Sequence, residues 1–333
     1  MSVTQQAVTD DEADIRLDRW FRRHFPQVTQ GVIQRLCRSG QVRVDGKRAE
    51  AATRLAPGQS IRIPPLPDPK SIEKPVEAPP DPRARAEIER MVLYRDDFLI
   101  VLNKAPGLPT QGGPGITKHL DGMARALSTT STDRPRLVHR LDRDTSGVIV
   151  LARSPGVAAK LAAAFRSRAV EKIYWAVVAG RPVPVEGRID VPQTRRDPSQ
   201  AGARGERIAV AEPRDPDATH AITDFRTLDH AARKLAWLEL RPLTGRTHQL
   251  RVHCAELGAP ILGDATYGEW RESGNSALVE GLPEQLHLHA RRLTLPHPDG
   301  GTLVVEADLP KHMADTFRTL GFSAPAARPP QRG

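Results

Sequence analysis

The amino-acid sequence predicts an α+β protein whose larger domain is built around a mixed or antiparallel sheet. After residue 87, segments with the apolar pattern of strands outnumber helical segments, and the two do not alternate as they would in a parallel α/β fold. Residues 64–82 hold eight prolines, which predicts an extended linker between that domain and a smaller α/β domain. The predicted segments are a flexible N-terminus (1–15), a small domain (16–63), a Pro-rich linker (64–86), the larger domain (87–322) and a flexible tail (323–333).

The small domain is predicted to contain two basic helices, a hairpin and a further strand. The segment "RLDRWFRRHF" places its apolar residues on one helical face, and "TQGVIQRLCRSG" does the same before Gly40 ends the second helix. The segment "QVRVDGKRA" alternates valines around the turn residues Asp45 and Gly46, which indicates a hairpin. The segment "QSIRIPP" adds a short strand.

The larger domain is predicted to begin with two strands, "MVLYRDDFLIVLNKAPG", joined by an acidic turn. The apolar run at 147–152 indicates a buried strand, and Ser154 followed by Pro155 marks the start of a helix. A second helix, "GRTHQLRVHCAELG", ends at Gly258. The remaining strands are predicted in "EKIYWAVVAG", "AITDFRTL", "KLAWLELRPL" and, as the last strand, "LHLHARRLTL".

Composition indicates a soluble, folded protein with a polyanionic partner. The chain has 333 residues, of which 39% are apolar and 27% charged, and its formal net charge is +9. Residues 16–63 hold eleven lysines or arginines against three acidic residues, a net charge of +8. The N-terminus lacks the pattern of a signal peptide, and Cys37 and Cys254 form no disulfide framework, so a cytoplasmic location is expected.

The segment "HRLDRDTSG" at 139–147 places Asp142 between Arg140 and Arg143. Neighbouring cations favour the ionised carboxylate, which suits a nucleophile better than a general acid. The alternative is a surface salt bridge in a turn, and a metal site is a weaker reading because two carboxylates are few ligands for a hard cation. The residues alone leave the first two open.

Other nucleotide and metal motifs do not fit. In a kinase loop the aspartate would follow the arginine directly, whereas Leu141 intervenes here. The segment "GGPGITKH" lacks the second glycine and the final hydroxyl residue of a P-loop. His248 and His253 are five residues apart and so do not share a helical face as zinc ligands would. No metal site is predicted.

Four segments together resemble a known family. "HRLDRDTSG", "EKIYWAVVAG" and "LTGRTHQLRVHCAELGAPILGD" resemble, in this order, the signature segments of the RluA family of pseudouridine synthases. "DDFLIVLNKAPGL" is similar to its first motif, except that Ala105 separates Lys104 from Pro106 where the family more often has Lys-Pro. Residues 16–63 resemble an S4 RNA-binding domain, and short segments such as "GGPGI" resemble the RluC type, which acts on large-subunit ribosomal RNA. The resemblance covers about residues 16–310.

The resemblance implies that the protein isomerises uridine to pseudouridine in structured RNA, with large-subunit (23S) ribosomal RNA as the expected substrate. It implies no metal and no small-molecule cofactor. By position, Asp142 is the catalytic nucleophile and Arg251 pairs with it. Tyr174 packs on the target base and helps to remove the C5 proton, and Arg140 enters the RNA stack in place of the flipped uridine.

Further RNA contacts follow from the same resemblance. In the larger domain they are assigned to His139, Arg246 and His248, and in the S4-like domain to Arg35, Arg38, Arg43 and Lys47. The partner is therefore RNA, with no membrane and no cofactor, and a monomer is expected. Two alternatives stay open: the same chemistry on tRNA, and a non-catalytic S4-type RNA-binding or ribosome-assembly factor.

Overall fold

The computed structural model describes residues 3–66, 82–113, 115–128, 134–196, 207–212, 214–232, 234–268 and 281–333. The chain divides into two compact bodies, Met1–Pro79 and Pro80–Gly333. Within the described residues no helix is long and apolar enough to cross a membrane. Helices and strands are numbered below in chain order.

The N-terminal domain packs two helices against a four-stranded sheet of order β1-β4-β2-β3. The helices are α1 (Leu17–His24) and α2 (Gln30–Arg38), and the strands are β1 (Thr4–Ala7), β2 (Arg43–Val44), β3 (Lys47–Arg48) and β4 (Ser60–Ile63). The predicted helices, hairpin and strand are confirmed. Asp45 and Gly46 both have positive φ, 48° and 75°, which is the backbone conformation a two-residue hairpin turn requires.

The N-terminal residues differ from the predicted flexible segment at 1–15. Strand β1 pairs antiparallel with β4, and Val8 lies in the core beside the helices. Glu12 is buried and accepts hydrogen bonds from the Trp20 indole (2.9 Å) and from the backbone N–H of Thr9 (3.2 Å). The prediction was wrong because β1 owes its order to pairing with β4, far along the chain, which a local pattern does not reveal.

The C-terminal domain is a mixed α+β domain, as predicted, built on an eleven-stranded sheet within the described residues. Its main order is β10-β13-β14-β9-β15-β8-β6-β5, and β7, β16 and β17 pair at β8, β15 and β16 respectively. Neighbours are antiparallel except β8 and β15. The strands are β5 (Val92–Arg95), β6 (Leu99–Lys104), β7 (Arg136–Leu137), β8 (Ser146–Ala152), β9 (Glu171–Ala179), β10 (Glu186–Asp190), β13 (Ile222–Ala231), β14 (Leu235–Pro242), β15 (Leu288–Pro296), β16 (Thr302–Glu306) and β17 (Gln331–Arg332).

A separate two-stranded sheet and five helices complete the described part of this domain. The two strands are β11 (Gln193–Arg196) and β12 (Arg207–Val210). The helices are α3 (Pro82–Glu89), α4 (Leu120–Met123), α5 (Pro155–Arg166), α6 (Gln249–Glu256) and α7 (Lys311–Leu320). The Ser154 hydroxyl accepts a hydrogen bond from the Val157 N–H, so the predicted cap of α5 is confirmed.

Strand β9 separates two apolar clusters because its side chains alternate between the faces of the sheet. Ala176 and Val178 pack against α6, whereas Trp175 and Val177 pack against α7. Tyr174 lies on the α6 side and contacts the apolar clusters there. This alternation leaves Tyr174 on the face where the loops after β7 and β14 meet.

The end of the domain differs from the prediction. Strand β15 is not the last strand, because β16 and β17 follow it, and α7 was not predicted. The tail at 323–333 was predicted to be flexible, but β17 pairs with β16 and Arg291 donates a hydrogen bond to the Pro325 carbonyl (2.9 Å). Of the predicted linker, residues 67–81 lie outside the described residues, and residues 82–86 belong to α3.

Candidate active site

A cleft of about 760 Å³ opens in the C-terminal domain where the loop before β8, strand β9, the end of β14 and the start of α6 meet. All seven site residues predicted for this domain line it: Arg140, His139, Asp142, Tyr174, Arg246, His248 and Arg251. They come from three separate parts of the chain. The fold therefore brings together residues that the sequence identified only by motif.

The loop that carries Asp142 is held by backbone contacts on both sides of this residue. The Thr110 hydroxyl donates to the Leu141 carbonyl (2.6 Å), and the Lys104 ammonium donates to the Arg143 carbonyl (2.8 Å). Asp142 itself is half-buried. Its position is therefore fixed by Lys104 of the first motif and by Thr110, which follows that motif, although the carboxylate remains open to the cleft.

Lys104 is fully buried, which is rare for a lysine. Its three N–H groups donate to the carbonyls of Ala105 (3.0 Å), Leu108 (2.8 Å) and Arg143 (2.8 Å). Burial lowers the pKa of Lys104 to about 8, although the charges of Asp144 and Asp142 act in the opposite direction. Sequence reasoning gave this residue no role, and its place in the first motif was the signal that could have identified it.

Arg251 does not form the predicted ion pair with Asp142. Its Nε and Nη2 donate to the two carboxylate oxygens of Asp264, at 2.7 and 2.8 Å, and no ion pair joins Arg251 to Asp142 within the described residues. Asp264 is fixed further by the N–H groups of Thr266 (2.9 Å) and Tyr267 (3.1 Å). A bidentate pair with a buried carboxylate is the stronger interaction, and the motif alone did not reveal this partner.

Arg251 nevertheless interacts electrostatically with Asp142. Burial opposes the charged guanidinium, but Asp264 and, more weakly, Asp142 raise the pKa of Arg251 above its ordinary value. The ring of Tyr267 lies under the guanidinium, 4.9 Å from its carbon to the ring centroid. Asp264 and Tyr267 are therefore functional neighbours that sequence reasoning missed; Asp264 ends the third signature segment.

Tyr174 lies on β9 beside Asp142. Burial and the charge of Asp142 raise the pKa of the Tyr174 phenol well above its ordinary value, so the phenol keeps its proton in the free protein. A phenolate that removes the C5 proton is thus disfavoured before substrate binds. The ring remains available to pack on a base in the cleft.

His139 is used inside the domain. Its Nε2 accepts a hydrogen bond from the Val150 N–H of β8 (3.0 Å), and its ring stacks on Phe165 with the centroids 4.4 Å apart. Burial, together with the charge of Lys172, lowers the pKa of His139 to about 3, so the ring is neutral. The predicted RNA contact therefore cannot use Nε2, and we assign the ring to holding its loop against β8.

Arg140 and Arg246 are exposed at the mouth of the cleft. Arg140 donates to the Thr247 hydroxyl (2.9 Å), and Arg246 donates through Nε to the His220 carbonyl (3.1 Å). His248 has a left-handed backbone (φ 53°), and its Nδ1 lies 2.9 Å from the Tyr267 hydroxyl. Exposed guanidinium groups in this position can reach an incoming polyanion.

Gln249 fixes the loop before α6 and was missed by sequence reasoning. Its carbonyl oxygen accepts from the Thr244 hydroxyl (2.7 Å) and the Arg246 N–H (3.0 Å). Its amide nitrogen donates to the Ile222 carbonyl (2.9 Å) and the Thr223 hydroxyl (3.0 Å). A buried amide that uses both ends in this way positions the cleft wall rather than the substrate.

The cleft lining is strongly basic. Its charged members are two carboxylates, Asp142 and Glu171, and seven cations, namely Arg140, Arg166, Arg168, Lys172, Arg241, Arg246 and Arg251. Within the part of the chain that the structure describes, no three His, Cys, Asp or Glu side chains are grouped so that they could hold a metal ion. An isolated carboxylate in a basic cleft suits chemistry on a polyanionic substrate.

Comparisons with known proteins decide the family. Residues 98–256 match the family model described as RNA pseudouridylate synthase, and residues 15–61 match the S4 domain. RNA pseudouridine synthase 4, mitochondrial, of Arabidopsis thaliana is 34% identical, over 91% of this chain and 78% of that protein. The chain belongs to the RNA pseudouridine synthases. This is the family that the four motif segments predicted.

Two further relatives agree. Ribosomal large subunit pseudouridine synthase C of Rickettsia bellii is 34% identical, over 89% of this chain and 95% of that protein. The solved structure of human RNA pseudouridylate synthase domain containing 4 is 32% identical and matches with a TM-score of 0.60, over 73% of this chain and 97% of that one. The protein is thus an RNA pseudouridine synthase, an isomerase that acts on RNA, with an N-terminal S4 domain.

The four cations that were predicted in the S4 domain of the synthase are exposed: Arg35, Arg38, Arg43 and Lys47. Two of them lie in the last turn of α2, and two flank the β2–β3 turn. Arg43 also donates to the carbonyls of Gly40 (3.2 Å) and Gly46 (3.1 Å), which fixes its side chain beside the hairpin. Their contact with RNA stays a prediction.

Proposed function

We propose that this synthase converts uridines of large-subunit ribosomal RNA into pseudouridine, with Asp142 as the nucleophile. The observation that carries the proposal is the position of Asp142, half-buried in a basic cleft that Tyr174 and Arg251 also line. The name of the Rickettsia relative supports large-subunit ribosomal RNA as the substrate. This relative matches nearly the whole of both chains.

The reaction is an isomerisation, so the atoms balance within the substrate. The bond between C1′ and N1 breaks, the uracil turns in the cleft, and a bond forms between C1′ and C5. The C5 proton leaves and N1 gains a proton. Asp142 supplies an electron pair by attacking either the ribose or the base, and it is regenerated at the end. No net oxidation occurs and no co-reactant is consumed.

The neighbours of Asp142 prepare this step. Arg251, held by Asp264, keeps a positive charge beside the carboxylate, and Lys104 holds the loop that carries it. Tyr174 offers a flat ring on which the uracil can pack. The uridine must flip out of the RNA helix, because the enzyme cannot reach a base inside it. Arg140, exposed at the mouth of the cleft, then fills the gap that the uridine leaves in the RNA stack.

The first test compares Asp142→Asn with Asp144→Asn. Asp144 is the matched control because it lies two residues away and its carboxylate is half-exposed, 3.2 Å from the Arg143 Nε. We expect Asp142→Asn to lower pseudouridine formation by more than about a thousandfold while RNA still binds, and Asp144→Asn to stay within about threefold of the wild type. Pseudouridine yield, RNA affinity and melting curves are measured for both variants.

Two outcomes would contradict the nucleophile. One is wild-type turnover in the Asp142 variant, and the other is an equal loss in both variants. The substrate is tested separately, by mapping pseudouridine in RNA from a strain that lacks the gene. Missing pseudouridine in large-subunit ribosomal RNA supports the proposal, whereas a loss confined to tRNA would redirect it.

The proposal also includes a monomeric, cytoplasmic enzyme. Both cysteines, Cys37 and Cys254, are free and buried, which suits a reducing compartment. Light scattering on the purified protein checks the oligomeric state, and fractionation of cells checks the location.

A further inference from the structure

Lys172 is a cation of the cleft to which neither the motifs nor the comparisons assign a role. It lies on β9 two residues before Tyr174, and the period of a strand therefore places both side chains on the same face of the sheet. Both residues line the cleft. Lys172 is half-buried, in contrast to the exposed arginines at the mouth.

The ammonium group of Lys172 is only partly satisfied. Its Nζ donates one hydrogen bond, to the Thr244 carbonyl (3.2 Å), although an ammonium group has three donors. Within the described residues no carboxylate lies within ion-pair distance of it. The adjacent Glu171 is directed to two other cations, Arg241 (3.5 Å) and Arg292 (3.8 Å).

A half-buried cation without a counter-charge is unfavourable in the free protein. Burial lowers the pKa of Lys172 below its ordinary value. The nearby ring of His139 is neutral and accepts its hydrogen bond from the backbone, so it offers no compensation. Binding of an anion at such a site is favourable, because the anion supplies the missing counter-charge.

The surroundings favour a phosphate over the reacting base. Lys172 extends from β9 and Asp142 from the loop before β8, both line the cleft, and within the described residues no ion pair joins them. A Cβ placed on Gly245 would lie 3.9 Å from the Lys172 Nζ, so the absence of a side chain there leaves room beside the ammonium group. Arg166 and Arg168 line the same cleft.

We propose that Lys172 binds a phosphate of the RNA backbone at or next to the flipped uridine, and so holds the nucleotide in the cleft beside Asp142. The proposal rests on the proposed function, because it takes RNA in this cleft as the substrate. Lys172 is accordingly a substrate-binding residue of the catalytic domain. Its contact is separate from those of the S4 cations.

The first experiment measures the salt dependence of binding by the full-length protein. The probe is a transcript of 23S ribosomal RNA, and the variants are Lys172→Met and Lys160→Met. Lys160 is the matched control because it is exposed on α5 and does not line the cleft. Loss of one phosphate contact lowers the slope of log K against log salt by about 0.7 to 0.9.

We expect that decrease for Lys172→Met, with an affinity about tenfold lower at low salt, and no change for Lys160→Met. An unchanged slope in Lys172→Met, or an equal decrease in both variants, would overturn the proposal. Because binding is measured without turnover, this result does not depend on whether Asp142 is the nucleophile.

A merely structural role for Lys172 is tested by Lys172→Arg and by melting curves. If Lys172 only held the Thr244 loop, Lys172→Met would lower the melting temperature. If it binds phosphate, Lys172→Met is expected to melt at or above the wild-type temperature, because an uncompensated charge has been removed. Lys172→Arg keeps the charge and is expected to recover most of the salt slope; failure to do so would contradict the proposal.

The decisive experiment places a single neutral methylphosphonate at each phosphate flanking the modified uridine in turn. At one position the methylphosphonate is expected to lower the kcat/KM of the wild type about tenfold. The same substitution is expected to leave the kcat/KM of Lys172→Met unchanged. If Lys172→Met loses as much as the wild type at every position, Lys172 contacts none of these phosphates. Failure of the wild type to modify ribosomal RNA at all would instead contradict the proposed function.

Discussion

Basic residues are used differently in the two domains. In the S4 domain, Arg35, Arg38 and Lys47 lie exposed on α2 and the β2–β3 hairpin, where solvent screens their charges. In the catalytic domain, Lys104 is fully buried and Arg251 is 9% exposed, and the charge of Asp142 acts on both. Exposed cations supply affinity that depends on salt, whereas buried ones fix geometry and are costly to remove.

The largest expected effect comes from removing a buried cation of the catalytic domain. Arg251→Met leaves the Asp264 carboxylate buried without its cation, which we expect to lower the free energy of unfolding by about 3 to 5 kcal/mol. The matched change in the S4 domain is Arg54→Met. The Arg54–Asp14 pair is largely exposed, so we expect a loss below about 1 kcal/mol. Urea unfolding curves measure both.

The double variant Arg251→Met/Asp264→Leu separates stability from activity. Replacing both partners removes the unpaired charge, so stability is expected to recover while turnover stays low. Equal losses of stability in Arg251→Met and Arg54→Met would contradict the contrast between buried and exposed cations. So would normal turnover in the double variant.

The second prediction concerns acid. Burial lowers the pKa of His287 and of His289 to about 4, from an ordinary value of 6.5. Between these values the unfolded chain binds more protons than the folded chain, so stability falls as pH is lowered. Both histidines are fully buried. We expect these two histidines together to cost the catalytic domain about 5 kcal/mol between pH 6.5 and pH 4.

The S4 domain is expected to resist that range of pH. Burial raises the pKa of Glu12, but hydrogen bonds from His24, Thr9 and Trp20 outweigh this and lower it to about 2. Its contribution is therefore lost only as pH falls from about 4.5 towards 2. Hydrogen exchange, corrected for the intrinsic rate at each pH, reports both domains in one sample. Earlier loss of protection in the S4 domain would contradict the prediction.

The smallest expected effect follows from neutralising exposed cations. Arg35→Gln, Arg38→Gln and Lys47→Gln together are expected to reduce the salt slope of RNA binding by about 2 to 3, since each phosphate contact contributes about 0.7 to 0.9. Melting temperature and kcat at saturating RNA should change little. An unchanged slope, or a large loss of kcat, would show that these residues are not simple phosphate contacts.

Structural features that depend on neighbouring residues were predicted from the sequence, whereas features that depend on distant residues were missed. The cap at Ser154, the turn at Asp45 and the strand β9 are set by neighbours within a few residues, and all were predicted correctly. Strands β1 and β17 were missed because each is short and owes its order to pairing with a strand elsewhere in the chain. A short strand is marginal by itself and carries a weak pattern.

The same distinction applies to the site. The motifs placed Asp142, Tyr174 and Arg251 in one cleft, but they named the wrong partner for Arg251. Asp264 follows Arg251 by thirteen residues, across the end of α6 and a turn, so no spacing rule connects them. Lys172 was overlooked for a different reason. A lysine in a strand is ordinarily solvated, and only the fold shows that no described carboxylate lies within ion-pair distance of this one.

The contacts of Lys104 determine which residues of this site can be substituted during evolution. All three of its acceptors are main-chain carbonyls, which every amino acid supplies. Substitution at Ala105 therefore leaves an acceptor in place. Lys104 is expected to be conserved, whereas the residues whose carbonyls accept its hydrogen bonds are expected to vary between lineages.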